Sequence, residues 1–405
     1  MELTAGLPYF LINNGLLYQY PRLEQDKQAH VAIIGGGISG ALTAYHLTEA
    51  GWPCILLDAR HIGLGSTCAS TSLIQYELDI PLHKLKTMKG DKAANRIYQI
   101  TANGVGQLLS LMKKINFNGY EECRSLFFSQ RAREKKMMEQ EYNARKNAGL
   151  EVNWVDRREL EKSFGLNAYS GILSRQAAGI DTYRLTHHLL QHAMKKGLQV
   201  YDHSRVAAIN QQKDQVALVM ENKHRVHSQF VVNATGYEVV NFLKKGIVNF
   251  DCTYALASER IPANKLPGNA DTLLWNTEDP YLYMRRTPDN RLLAGGRDEP
   301  FSNKVTRQLF LERKRNLLER DIHKAMPALD FKTEFTWSGT FGKTRDALPY
   351  IGPLHSGGRI VYALGFGGNG ITFSQVAAVF LRDYIGGKQN RDAALFSFGR
   401  SNYKG

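Results

Sequence analysis

The stretch "VAIIGGGISGALTAYHL", Val31 to Leu47, sets an apolar run against a cluster of glycines and then continues with helical spacing. Gly35, Gly37 and Gly40 satisfy G-x-G-x-x-G between a predicted strand, "HVAIIG", and a predicted helix. Each glycine then has its own task. Gly35 permits the tight turn, Gly37 lets a pyrophosphate approach the backbone, and Gly40 lets helix pack closely on strand. The helix start offers free N–H groups and the positive end of its dipole to phosphate. The next apolar strand, "PCILLD", ends in Asp58. An acid there accepts hydrogen bonds from ribose hydroxyls and disfavours a 2′-phosphate.

The segment after Asp58 bears on which dinucleotide is held. "ARHIGLGSTCASTSLIQYELD" is rich in small donors, Ser66, Thr67, Ser70, Thr71 and Ser72, where an NAD domain would usually run into a crossover helix. These donors could line a second phosphate and a ring. On composition alone a polar surface loop explains them equally well.

The chain has 405 residues, 43% hydrophobic and 22% charged, which suits a globular protein of two or three domains. No apolar run approaches the roughly 20 residues that span a bilayer. The first residues lack the basic and apolar regions of a signal peptide. They read instead as an extension packed on the rest through Tyr9, Phe10, Leu16 and Tyr18. Four scattered cysteines, Cys54, Cys68, Cys123 and Cys252, point to a reducing, cytoplasmic setting, with no disulfide framework and no metal site.

The formal net charge of +14 favours acidic partners. The densest basic run, "RAREKKMMEQEYNARKNAG", is interspersed with Glu134, Glu139 and Glu141, as solvated helices are. Its one aromatic, Tyr142, makes it a poor nucleic-acid platform. His188 and His192 share a helix face, but Leu189 stands where a zinc-protease motif needs Glu.

Two later pieces repeat the strand–turn or helix–strand texture: "GIDTYRLTHHLLQHAMKKGLQVYDHSRVAAI" with "FVVNATGYEV", and "RIVYALGFGGNGITFSQVAAVFLRDYI". Residues 86–150 read as mostly helical, 250–300 as antiparallel strands and 305–325 as a long helix. One dinucleotide-binding domain is therefore assembled from distant segments, 30–85, 151–240 and 335–390. A second domain comes from 86–150 and 241–334, between an extension at 1–29 and a tail at 391–405.

The motifs "VAIIGGGISG", "ILLDARHIGLGST", "GIDTYRL", "FVVNATG", "DALPYIG" and "GFGGNGITFS" together make the chain resemble the D-amino-acid oxidase-like FAD-dependent oxidoreductases, the superfamily of glycine and sarcosine oxidases. The resemblance covers nearly everything after residue 30. It implies an α/β fold, with a glutathione-reductase-like FAD-binding Rossmann domain beside a substrate domain of mainly antiparallel sheet and helices. Gly35, Gly37, Ile38, Ser39 and Gly40 would hold the pyrophosphate, and Asp58, Ala59 and Arg60 the adenosine side. Ser66, Thr67, Thr71, Ser72 and Leu73 would wrap the flavin. Val206 matches a backbone contact to adenine, and Ala234, Thr235 and Gly236 a loop closing over FAD. Gly367, Gly368, Asn369, Gly370, Ile371 and Thr372 would run under the isoalloxazine, where a helix N-terminus stabilises the charge of reduced flavin.

The sequence also departs from that family. Arginines that clamp a substrate carboxylate in glycine oxidase-like members appear here as Phe341 and Gly368. Lys343, Arg345, Arg285, Arg286 and Arg297 are the cations that could substitute. Tyr281 matches a substrate-contacting tyrosine, so Tyr281, Lys343 and Arg345 are the expected substrate-orienting residues. "TWSGTFGKTRD" lacks the cysteine that tethers flavin in sarcosine oxidases, so FAD is expected to be non-covalent. Leu293 falls near the lysine those enzymes use with oxygen, which leaves the electron acceptor open.

The expected activity is oxidation of a C–N bond of an amine or amino-acid-like substrate by hydride transfer to flavin N5. The basic balance suggests an acidic small molecule as that substrate. The loop "GSTCASTSLIQ" also resembles FAD-linked glycerol-3-phosphate dehydrogenases, so oxidation of a 2-hydroxy acid or glycerol phosphate stands as the alternative. Two further readings rank below these, a tRNA-modification flavoprotein and a flavin-binding protein without turnover.

Overall fold

The structure, a computed structural model, describes residues 3–400 apart from 237, 239–242, 244–246 and 267–270. The chain begins with β1 (Thr4–Gly6), α1 (Tyr9–Asn14), β2 (Lys27–Ile34), α2 (Ile38–Glu49), β3 (Cys54–Leu57), α3 (Ser66–Ala69) and β4 (Leu73–Gln75). Then come α4 (Leu82–Lys89), α5 (Asp91–Lys114), β5 (Tyr120–Ser129), α6 (Lys135–Asn147), β6 (Val152–Asp156), α7 (Arg157–Phe164) and β7 (Ser170–Ile180). Next are α8 (Thr182–Met194), β8 (Gln199–Tyr201), β9 (Val206–Gln211), β10 (Val216–Met220), β11 (Arg225–Asn233), β12 (Asn249–Ser258) and β13 (Thr272–Asn276). The last are β14 (Leu282–Arg286), β15 (Leu292–Pro300), α9 (Lys304–Ala325), β16 (Thr333–Lys343), β17 (Tyr350–Pro353), β18 (Ile360–Leu364) and α10 (Gly370–Ile385).

One sheet orders β17-β18-β11-β2-β3-β8, with β10 and β9 joined through β11. Its centre is parallel: β2 pairs with β3 on one side and β11 on the other. Successive residues go to opposite faces. Val31, Ile33 and Leu56 join a core with Leu42 of α2, Val105 of α5 and Phe373 of α10, whereas Ala32, Ile34, Ile55 and Leu57 join one with Val216 and Leu218 of β10. Both faces are thus covered, which is why these strands read as unbroken apolar runs.

From β2 the sheet grows in both directions, so the turns after β2 and β11 meet. A Cβ on Gly35, whose φ is +109°, would stand 2.4 Å from the Ala234 carbonyl oxygen. Such a switch point is where open α/β sheets bind ligands.

The other sheet orders β1-β16-β12-β15-β14-β13-β5-β7-β4, with β6 on β7. It is antiparallel apart from the β13–β5 pair. Helix α9 covers one face, its Leu311, Leu318 and Ile322 meeting Tyr254, Leu256 and Met284.

Several elements sit differently from the sequence reading. Strands β4, within 30–85, β6 and β7, within 151–240, and β16, within 335–390, belong to this second sheet, because β4 and β6 pair with β7, β7 with β5 and β16 with β12. β5 itself falls in a region read as mostly helical. In the N-terminal segment Tyr9 and Phe10 are buried, but Leu16 and Tyr18 are 55% and 48% exposed. Helix α6 is not simply a solvated helix either, since Glu141 and Arg145 are fully buried. At the other end Leu395 and Phe396 pack into the main core, while 401–405, like Met1 and Glu2, lie outside the described residues. Among the described residues no helix is long and apolar enough to cross a membrane.

Candidate functional site

Both sheets contribute walls to one cavity of about 1210 Å³. That exceeds the roughly 300–1,000 Å³ of ordinary small-molecule sites.

The glycine turn forms one wall. The N-terminus of α2 has no side-chain cap and no acid in its first turn, so its dipole is unopposed. The Ile38 N–H donates to Thr67 Oγ1 at 3.0 Å, joining the turn to α3. A Cβ on Gly40 would lie 1.8 Å from the Gly35 carbonyl oxygen, so only glycine permits this helix–strand approach. Asp58 Oδ2 accepts the Gly36 N–H at 2.7 Å, and its Oδ1 accepts the Arg60 N–H at 2.8 Å. Burial raises the carboxyl pKa, and those two N–H groups oppose the rise. Arg60 in turn pairs with Glu238 at 2.6 Å.

A second uncapped N-terminus comes from α10, again with no acid in its first turn. Ser374 of α10 and Ser39 of α2 share a hydrogen bond of 2.6 Å, which locks the two helix starts side by side. The turn before α10 is tied to the segment after β4: Asn369 Nδ2 donates to the Glu77 carbonyl at 2.7 Å.

Most of the residues expected at a cofactor line this cavity: Gly35, Gly37, Ile38, Ser39, Asp58, Ala59, Arg60, Ser66, Thr67, Thr71 and Leu73. So do Val206, Ala234, Thr235, Gly236 and residues 367–371. Gly40, Ser72 and Thr372 do not. Gly40 serves the close approach just described. Ser72 is fully buried and its Oγ accepts from Thr182, while Thr372 Oγ1 donates to the Gln75 carbonyl. Two uncapped helix starts, glycines where a Cβ would collide, and a buried acid at the end of β3 together fit FAD. They would hold its phosphates and ribose.

The sheet-borne wall carries Tyr281 and Tyr283 of the β13–β14 segment, with Asp251, Asp298, Phe341 and Lys343. Burial, and then Asp79, push the Tyr281 phenol far above its ordinary pKa. Lys343 Nζ lies 2.9 Å from Asp251 and 4.9 Å from the Phe341 ring centroid. Burial works against its charge, but Asp251 and Asp298 hold it above the usual lysine range. Arg345 lines the cavity at an exposed position.

The remaining candidate cations are committed elsewhere. Arg285 is buried and donates to the carbonyls of Thr71 and Ile180 at 2.9 Å, Arg286 bonds Asn290, and Arg297 pairs with Asp321. His188 bonds the Ile115 carbonyl and His192 pairs with Glu49, so they form no ligand pair. His61, Asp202 and His203 bring ligand atoms within 4.8 Å of one another, but none of them lines the cavity.

Sequence reasoning missed Asp79, Asp251, Tyr283 and Asp298. Tyr283 stands two residues from Tyr281, a spacing that could have found it, whereas the three aspartates come from distant segments that only the folded chain brings together.

A family model described as FAD dependent oxidoreductase, DAO, matches residues 30–383. The chain is 24% identical over 390 residues to a putative Rieske 2Fe-2S iron-sulfur protein of Bacillus subtilis (strain 168), covering 94% of this chain and 73% of that one. It is 23% identical over 394 residues to the gamma-glutamylputrescine oxidoreductase of Escherichia coli (strain K12), covering 95% and 89%. Among solved structures, L-proline dehydrogenase from P. horikoshii superposes with a TM-score of 0.79 at 17% identity, over 93% of this chain and 99% of that one.

Proposed function

The chain belongs to the family of FAD-dependent oxidoreductases, and on that premise we propose that it oxidises a C–N bond of a small amine, using FAD held without a covalent bond. The observation that carries this reading is the meeting of two uncapped helix N-termini and Asp58 with a wall of tyrosines and carboxylates around one cavity. Two of the similar proteins are named for an amine or an amino acid, gamma-glutamylputrescine and L-proline.

Residues 35–39 and the start of α10 would face the cofactor's phosphates and ring, and Asp58 its ribose. Bound there, the flavin supplies a two-electron acceptor. The substrate carbon would lose hydrogen with its electron pair while the lone pair of the neutral nitrogen closes the C=N bond, and water would hydrolyse the resulting iminium. The positive end of α10 would favour negative charge on a flavin held there. Tyr281, Tyr283 and Phe341 give the donor an apolar slot that sheds water. Lys343 is already engaged by two carboxylates, so it positions rather than takes the proton. A neutral amine needs no stronger base.

Among the described residues no cysteine or histidine lines the cavity, which supports non-covalent binding. All four cysteines are free, the state expected in a reducing compartment. Leu293 is fully buried in an apolar cluster.

The test is anaerobic mixing of FAD-loaded protein with amines and, separately, with 2-hydroxy acids and glycerol phosphate. Loss of the oxidised flavin spectrum with amines alone is the expected result. Reduction by the hydroxy compounds alone would transfer the activity to C–OH.

A further inference from the structure

The sheet-borne wall of the cavity is charged in the sense opposite to the molecule as a whole. Asp251 and Asp298 of that wall, with Asp79 from the segment after β4, line the cavity around a half-buried ammonium, Lys343. That ammonium is taken up by Asp251 at 2.9 Å and Asp298 at 3.6 Å. Thr253 also bonds the carboxyl, yet Asp298 Oδ1 finds no hydrogen-bond partner among the described residues, although the side chain is only 8% exposed. A buried carboxylate oxygen without a donor is costly unless something arrives to fill it.

Asp79 faces the turn that precedes α10. Its Oδ2 accepts the Gly368 N–H at 3.0 Å. A Cβ added at Gly368 would come within 2.7 Å of Asp79 Oδ1 and 3.0 Å of Tyr281 Oη. The space that a side chain at 368 would need is therefore filled by a carboxylate and a phenol. Lys84 and Arg345 also line the cavity, but both are exposed, where water and salt screen them. Burial lifts Asp298 to about 6 and also raises Asp79. A cation placed between them would relieve that cost.

We propose that Asp79 and Asp298 anchor a second, distal ammonium of the substrate, so that the site takes a diamine-type cation and repels a carboxylate. The proposal rests on the C–N reading above and reverses the acidic substrate that the net charge suggested. Asp251 keeps Lys343 neutralised, and Tyr281 offers its oxygen to the same ammonium. The uncharged nitrogen is then left for oxidation.

The experiment is an anaerobic titration of FAD-loaded protein with putrescine, butylamine and γ-aminobutyrate. These share an amine on a short chain and differ in the distal group, which is ammonium, methyl or carboxylate. Two readouts are taken, perturbation of the oxidised flavin spectrum on binding and loss of that spectrum on reduction. Putrescine is expected to half-saturate both at roughly one tenth of the butylamine concentration or less, as a charge-assisted pair requires. γ-Aminobutyrate is expected to be the weakest.

Asp79→Asn and Asp298→Asn are each expected to remove the preference for putrescine over butylamine. They lie on different segments, so either can stand alone should the other fail to retain FAD. Butylamine or γ-aminobutyrate matching putrescine, with reduction intact, would overturn the distal-ammonium site and leave C–N oxidation standing. Tight putrescine binding without reduction by any amine would overturn C–N oxidation and keep the cation site. Binding that ignores the distal group would remove the site whatever happens to the flavin.

Discussion

Gly40 shows how little freedom one residue has at the centre of this fold. A methyl group there would meet the Gly35 carbonyl oxygen at 1.8 Å, a backbone atom that cannot swing aside. Gly40→Ala must push α2 off β2 and open the turn. The expected cost is about 1–3 kcal/mol or more, with loss of FAD retention, read by thermal unfolding with and without FAD. A variant that unfolds at the parent temperature and keeps its flavin would refute this. Residues of this kind were legible in the sequence because backbone sterics fix both their type and their spacing, as at Gly35 and Gly37, and Asp58 because it closes the next apolar strand. Asp79 and Asp298 were not, since a lone carboxylate in a loop or strand carries no local pattern. Gly368 pointed to a missing arginine but not to the acid that fills its space.

At the scale of elements, α6 is pinned by a buried charge. Arg145 bonds Glu141 at 2.7 Å and Glu77 at 3.4 Å, and lies 5.4 Å from the Phe127 ring centroid. Glu141 also accepts the Leu82 and His83 N–H groups at the start of α4. Arg145→Ala strands two buried carboxylates, and a loss of about 3–5 kcal/mol is expected in denaturant titration. A loss near zero would mean that the pair is solvated. The sequence showed the helix and its mixed charges, but spacing cannot tell an exposed Glu–Arg pair from a buried one.

Acid sensitivity arises at the same scale. Burial pulls His187 of α8 down from 6.5 to about 4, with its Nδ1 at 3.1 Å from the Tyr20 hydroxyl. The unfolded chain binds that proton first, so this stability is lost as pH falls from 6.5 towards 4, by up to roughly 3 kcal/mol. Burial alone would raise Glu141, but Arg145 and His83 outweigh it and hold it at about 2. Its contribution is full above 4.5 and fades towards 2. Melting temperature is therefore expected to fall in two windows on acidification, and His187→Gln to flatten the upper one. An unchanged upper window in that variant would remove His187 as its source.

The whole molecule is built by interleaving. The parallel sheet takes strands from 27–57, from 199–233 and from 350–364, and the antiparallel sheet threads between them and also recruits β1 from the N-terminus. The parallel sheet was readable because strands buried on both faces give continuous apolar runs, closed by glycine turns. The allocation of β6, β7 and β16 was not, because pairing partners lie far away in the chain and local periodicity does not name them. That interleaving makes the cavity a property of both sheets at once, and the protein's chemistry depends on what the cavity holds.

The most direct measurement is the visible spectrum of the purified protein after incubation with FAD and removal of excess, repeated on the supernatant after acid precipitation. Flavin bands that survive the first step and move wholly into the supernatant are the expected result, and they identify FAD held by non-covalent contacts alone. Flavin retained in the pellet would contradict the non-covalent site. A colourless protein after incubation would contradict the assignment of the cavity to FAD.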